Sequence, residues 1–285
     1  MHFFWMEEIH WLRRIKNAVN LRHRTGTLFR LLPKTGLVEK AGRRPQGISA
    51  YISVKNESRW IEPTVRSLAP FVDQVSFIDN GSTDDTVEII RRTADDLSLD
   101  YSLELHPEAD FGEARDHALK NTTRSWILRW DGDIICRTQG TETFRKIRDF
   151  IFSLDQDCFY AVYIPLVQID GDLFHQNPDR PVYSEDWLLT YSPKMFHTTS
   201  GKMRELQYPF YYKRIYFWAP VTFHIWGLDS PEVMVMRSYL EPWRKLDDFE
   251  KYPTRKDYAL DHIREDYGVD TLFEAGALYC RERFR

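Results

Sequence analysis

Between Gly47 and Asp133 the sequence alternates four short apolar runs with three amphipathic segments. That rhythm restricts the fold to a mostly parallel α/β sheet with helices on both faces. The runs at 48–54, 74–78, 101–105 and 125–130 read as strands. The segments 58–68, 86–93 and 112–120 read as helices, with Pro63 tolerated in a first turn and Thr83 or Asp84 placed to cap the second. After Asp133 the rhythm loosens. Residues 141–152 read as a helix and 159–167 as a strand, and the stretch to Pro181 has loop composition. Residues 187–221, rich in aromatics and broken by Pro193, Pro209 and Pro220, read as short strands and loops forming a cleft wall.

The 285 residues fit one large domain with extensions. Its divisions are an N-terminal extension and linker at 1–46, the strand-helix half at 47–137, a second half at 138–241 and a helical segment at 242–285. In the extension, Trp5, Ile9, Leu12, Ile15 and Val19 recur at helical spacing among Arg13, Arg14 and Lys16. An amphipathic helix of this kind either lies on a membrane surface or docks on protein, the body or another subunit, through residues 1–40.

Charge is unevenly distributed. Residues 1–46 hold ten basic and three acidic side chains, a segment of +7, so the rest carries −11 of the total −4. A body of that sign argues against nucleic acid as a partner. Three widely spaced cysteines, Cys136, Cys158 and Cys280, form neither a disulfide framework nor a C-x-x-C pair, which points to a reducing compartment. With no apolar run near the roughly 20 residues that span a bilayer, the expected location is cytoplasmic, either free or peripheral at the membrane face.

Polar residues cluster where successive strands should end: Lys55-Asn56-Glu57, then Asp79-Asn80-Gly81-Ser82-Thr83-Asp84, then Asp131-Gly132-Asp133. In an open α/β sheet, ligands bind outside those carboxyl ends. Two carboxylates one residue apart suit a hard divalent cation carrying phosphates. Together the three clusters describe a nucleotide crevice.

These stretches resemble the family 2 glycosyltransferases of GT-A (Rossmann-like) fold. The first strand with Asn56-Glu57 and Ser67-Leu68 is similar to that family's opening segment. Residues 77–86, Phe-Ile-Asp-Asn-Gly-Ser-Thr-Asp-Asp-Thr, are similar to its hallmark turn, with Asn80 at the second acidic position. Residues 111–119 look like its F-x-x-A-R-N-x-A-L helix, and 126–133 like its strand ending in D-x-D. The likeness is close over 47–137, which it makes the nucleotide-sugar half, and loose over 138–241, the acceptor half.

The resemblance implies a metal-dependent, inverting glycosyltransferase that moves a sugar from a nucleotide-diphosphate donor to the hydroxyl of a glycan, polysaccharide or lipid-linked acceptor. Ser53, Asn56, Glu57, Asp79, Gly81, Ser82, Arg115 and Asp131 would bind the donor. Asp133, with Asp131 and His224, would hold Mn²⁺ or Mg²⁺. Such a transfer needs a general base, and Ser184-Glu185-Asp186-Trp187 is similar to the family's E-D motif, which makes Asp186 the candidate, beside Glu185. Asp170 and Asp172 are the reserve. His224 also fits a core histidine within its apolar run. Trp187-Leu188-Leu189 and Pro193-Lys194-Met195-Phe196-His197 also look like the D-W and P-R-L-F-R segments of other members, which leaves a second alignment of the base motif open, and His106, His117 and His197 themselves do not stand out from background. The aromatic residues 208–218 suit either acceptor sugars or core packing. Two alternatives share such a scaffold: a sugar nucleotidyltransferase, although no Gly-rich phosphate loop is present near the start, and a non-catalytic nucleotide-sugar-binding module.

Overall fold

The computed structural model describes residues 35–36, 41, 44–109, 111–170, 182–198, 206–239, 242–243, 246 and 251–283. The expected helix at 3–19, most of the linker and Asp172 lie outside them. The described end of the linker is seated on the body: Ala41 is buried, and the Arg44 guanidinium lies 3.1 Å from the centre of the Tyr191 ring and donates to Thr122 Oγ1 at 2.9 Å.

Four parallel strands form the first half of the sheet: β1 Ile48–Val54, β2 Gln74–Asp79, β3 Tyr101–Leu105 and β4 Trp126–Asp131, in the order β3-β2-β1-β4. Between them run α1 Ile61–Leu68, α2 Thr86–Asp96 and α3 Phe111–Lys120. Each expected element is present, β1 and β3 with the expected bounds and the others with ends shifted. The first helix begins three residues later than its periodicity indicates, after Glu57–Ile61 and Trp60–Thr64 turns that put Pro63 in its first turn. At α2 the N-cap position is Asp85, which makes no side-chain cap, while Asp84 Oδ1 accepts from the Thr86 N–H at 3.1 Å.

Beyond β4 the sheet continues antiparallel. After β5 Ile134–Cys136 and α4 Phe144–Phe152 come β6 Tyr160–Asp170 and β7 Val182–Thr190, the latter antiparallel to both β4 and β6. The short pair β8 Phe196–His197 and β9 Leu206–Gln207 stands apart, while β10 Lys213–Tyr216 and β11 Thr222–Gly227 run parallel to β6. β11 also pairs with β5, so one sheet passes through both halves of the chain. Trp187, expected to open a region of short strands, sits inside the nine-residue β7.

Alternation along the strands divides the core. Ile48, Ala50, Ile52 and Val54 of β1 and Trp126, Leu128 and Trp130 of β4 pack with α1, α2 and α4; Tyr51, Ile78 and Ile127 face α3. Arg129 and Asp131 therefore fall on the α3 side. The C-terminal helices α5 Pro231–Ser238, α6 Arg255–Tyr267 and α7 Leu272–Arg283 build their own small core from Val235, Tyr239, Ala259, Ile263 and Ala275.

Candidate active site

The carboxyl ends of β1, β2 and β4 lie side by side, with Val54 opposite Asp79 and Ser53 opposite Asp131. Two crossover loops are laced together there. The Asn56 N–H donates to Ser82 Oγ (2.9 Å), Asn56 Oδ1 accepts from the Thr83 N–H (2.7 Å), and the Glu57 N–H donates to Thr86 Oγ1 (2.8 Å). Asn56 takes this position in the left-handed region, at φ 57°, which asparagine tolerates better than most residues. Asn56 Oδ1 and Ser82 Oγ thus bond to the loops themselves.

Asp79 is 4% exposed. Its Oδ2 accepts from the Gly81 N–H (3.1 Å) and the Ser82 N–H (2.9 Å), closing a turn in which Gly81 has a φ of +82°. Its Oδ1 is buried and has no hydrogen-bond partner, and the same holds for Ser53 Oγ on the adjacent strand. A buried acceptor without a donor costs about 1–3 kcal/mol, so Asp79 is set to receive one.

The two aspartates of the Asp131-Gly132-Asp133 turn part company. Asp131 Oδ1 accepts from Arg115 Nη2 of α3 at 2.5 Å. Asp133 Oδ2 lies 3.2 Å from His224 Nε2 on β11, and the His224 Nδ1 lies 3.1 Å from the Tyr183 hydroxyl on β7. The turn is fixed at three successive carbonyls: Gly132 O accepts from Thr64 Oγ1, Asp133 O from the Ile225 N–H and Ile134 O from the Trp130 indole N–H. Gly132 also lets the Glu57 side chain close over the turn, since an added Cβ would come within 3.1 Å of Glu57 Cγ. Asp133 and His224 form an oxygen-nitrogen pair of the kind that would suit a divalent cation such as Mn²⁺. Asp131, turned to Arg115, does not join them as a third ligand atom among the described residues.

Glu185 and Asp186 lie on β7, where Ile164 pairs with Glu185 but Val162 pairs with Leu188. One extra residue in β7 makes a bulge, and bulges re-aim side chains that strict alternation would send to opposite faces. Both carboxylates consequently reach Arg129 of β4: Glu185 Oε2 accepts from Nη2 at 2.8 Å, and Asp186 Oδ1 is 3.7 Å from it. The Tyr208 hydroxyl donates to Asp186 Oδ2 at 2.7 Å. Burial opposes the Arg129 charge, yet Tyr51, Glu185, Asp186 and Asp131 outweigh it and hold its pKa above the usual arginine value. Burial, followed by the Asp186 charge, pushes the Tyr208 phenol up.

Beneath this group runs a chain with no counterpart among the sequence expectations. Asp116 Oδ1 is 2.9 Å from His197 Nδ1, and His197 Nε2 is 3.2 Å from the Tyr51 hydroxyl. Burial lowers the His197 pKa to about 4 despite the Asp116 bond, which raises it. Arg129, His197 and Tyr51 went unmarked in the sequence. The available signal for Arg129 was a charged residue at alternate spacing from Asp131 within an otherwise apolar strand. Asp170 ends β6, at its Gly227 partner on β11.

No described helix is long and apolar enough to cross a membrane. Residues 49–204 match the family model described as Glycosyl transferase family 2. The SPbeta prophage-derived glycosyltransferase SunS of Bacillus subtilis is 28% identical over 117 residues, 41% of this chain and 27% of its own length. An uncharacterized glycosyltransferase of Rickettsia felis is 30% identical over 138 residues, 47% of this chain and 42% of its own. The alignments thus span less than half the length of these relatives. Among solved structures, the mannosyltransferase PcManGT of Pyrobaculum calidifontis in complex with GDP-Man and Mn²⁺ superposes with a TM-score of 0.43 at 14% identity, covering 94% of this chain and 85% of that one. The S. aureus TarS 1-349 complex with UDP gives 0.46 at 14% identity, over 79% and 72%. With more than half of its residues inside the family match and the parallel half-sheet that the family's motifs called for, the chain belongs to glycosyl transferase family 2.

Proposed function

We propose that the chain is a metal-dependent, inverting glycosyltransferase that takes a sugar from a nucleotide-diphosphate donor to an acceptor hydroxyl. The observation that carries this reading is the convergence of Asp133 Oδ2 and His224 Nε2, 91 residues apart in sequence, at 3.2 Å beside the strand ends. Asp133 and His224 would hold Mn²⁺ or Mg²⁺, and the bound cation supplies Lewis-acid neutralisation of the charge left on the diphosphate. The free Asp79 Oδ1 accepts an N–H of the donor base, and Arg115 with Asp131 fixes the nucleoside side. Asp186 takes the proton of the acceptor hydroxyl as that oxygen bonds to the anomeric carbon and the bond to the diphosphate breaks. Tyr208 and Arg129 orient its carboxylate, and Glu185 shares the same Arg129 Nη2.

The acceptor would be a glycan, a polysaccharide or a lipid-linked sugar entering past the tyrosines around Asp186. A reducing, cytoplasmic setting suits the buried cysteines Cys136 and Cys158, with residues 1–40 reaching a membrane surface or another subunit. Release of a nucleoside diphosphate from a panel of nucleotide sugars, with Mn²⁺ and mixed glycan acceptors, tests the reading. Donor-dependent release supports it. Tight donor binding without release in any pairing would make the chain a binding module instead.

A further inference from the structure

Outside the strand-end site, Glu104, His106 and His117 bring three ligand atoms within 4.8 Å of one another, and no other described residues make such a group. They come from separate elements. Glu104 lies in β3, His106 directly after it, and His117 on α3. The Glu104 Oε2 to His106 Nε2 distance is 3.1 Å, and the two imidazole rings are 4.3 Å apart, centre to centre.

We propose that Glu104, His106 and His117 form a second cation site, selective for Zn²⁺ or a similar borderline transition metal over Mg²⁺. Two imidazoles and a carboxylate are a zinc-type donor set, whereas Mg²⁺ prefers oxygen alone. Metal bonds of about 2.0–2.1 Å in a tetrahedron place neighbouring ligand atoms about 3.3 Å apart. Glu104 and His106 already meet that edge, so only His117 must draw in, by a side-chain adjustment on one helix. The supporting shell is built as well: the Asn121 amide donates to Glu104 Oε1 at 2.8 Å, which keeps Oε2 turned to His106 Nε2, the pair a cation would bridge. A hydrogen-bonded outer shell of this kind orients ligands in metal sites.

The site is tied to the donor pocket through the backbone. The His106 N–H donates to Asp79 O at 2.8 Å, the Asn80 amide donates to His106 O at 3.0 Å, and Pro107 packs against Gly81. A cation there would clamp β3 to α3 and stiffen the turn that positions Asp79.

Calorimetric titration of the full chain with Zn²⁺, and with Co²⁺ read by its visible absorption, tests the site. The Asp133→Asn background removes the other locus. In that background we expect one bound ion, a tetrahedral Co²⁺ spectrum and a melting temperature raised by Zn²⁺ but not by Mg²⁺. Adding His106→Asn or His117→Asn should weaken the ion at least about tenfold, with the metal-free circular dichroism and melting temperature unchanged. Isotherms indifferent to both histidine changes, or no Zn²⁺ binding in the Asp133→Asn protein, would overturn the proposal.

Discussion

Arg115 Nη2 donates to Asp131 Oδ1 at 2.5 Å, which turns the first aspartate of the Asp131-Gly132-Asp133 turn toward helix α3 and leaves the second to His224. In the proposed reading the pair would serve two ends of one ligand. Asp131→Asn keeps an acceptor for Arg115 but removes the charge, reducing a bond worth about 1.5–3 kcal/mol to a neutral one worth about 0.5–1.5 kcal/mol. It is expected to weaken nucleoside-diphosphate binding about tenfold or more while changing Mn²⁺ affinity little, as separate calorimetric titrations would show.

Asp79 makes a different kind of prediction, because its two oxygens have different work. Asparagine can keep the Gly81 and Ser82 bonds through its carbonyl oxygen but puts an NH₂ where Oδ1 now stands unpaired. Asp79→Asn should melt near the parent temperature and lose about 10- to 100-fold in nucleoside affinity, the cost of a mismatched buried polar pair. Unchanged affinity would move the base elsewhere.

At the bulge in β7, Asp186 and Glu185 are distinguished by their bonds to Arg129 and Tyr208. Removing a general base costs about 10²–10⁴ in rate. Asp186→Asn is expected to fall by that much in kcat with little change in donor KM, while Glu185→Gln retains most of its turnover. The reverse order would transfer the base to Glu185.

The strand ends and the helix pattern of 47–133 were legible because side-chain periodicity is a local property. So was the turn at Asp133, whose two carboxylates follow an apolar run. The bulge was not. Tyr183-Ser184-Glu185-Asp186 falls between the loop composition that ends at Pro181 and the aromatic stretch from Trp187, and only pairing with β6 reveals a strand with one residue too many. Arg129 was hidden for a related reason, since its partners arrive from β7, more than fifty residues away. The histidines at 106, 117 and 197 likewise meet their neighbours across elements and form no spaced pattern along the chain.

His197 gives the stability a pH dependence. Its folded pKa, about 4, lies below the ordinary 6.5. The unfolded chain then binds more protons between those values, and stability falls as pH drops through that window. Between pH 7.5 and 5 the loss attributable to this residue is about 2 kcal/mol. Urea melts of the parent and His197→Gln should show the variant less sensitive to acid by that amount. Equal pH slopes would mean that His197 is not held neutral.

Asp133 is expected to anchor the cation through which the donor diphosphate is held. Calorimetric titration of nucleoside diphosphates into the parent and Asp133→Asn proteins, each with and without Mn²⁺, tests it most directly. The expected result is at least one nucleoside diphosphate whose affinity rises tenfold or more with Mn²⁺ in the parent, ~1.4 kcal/mol or more, and does not respond in the variant. Equal gains from Mn²⁺ in both proteins, or none in either, would contradict the claim.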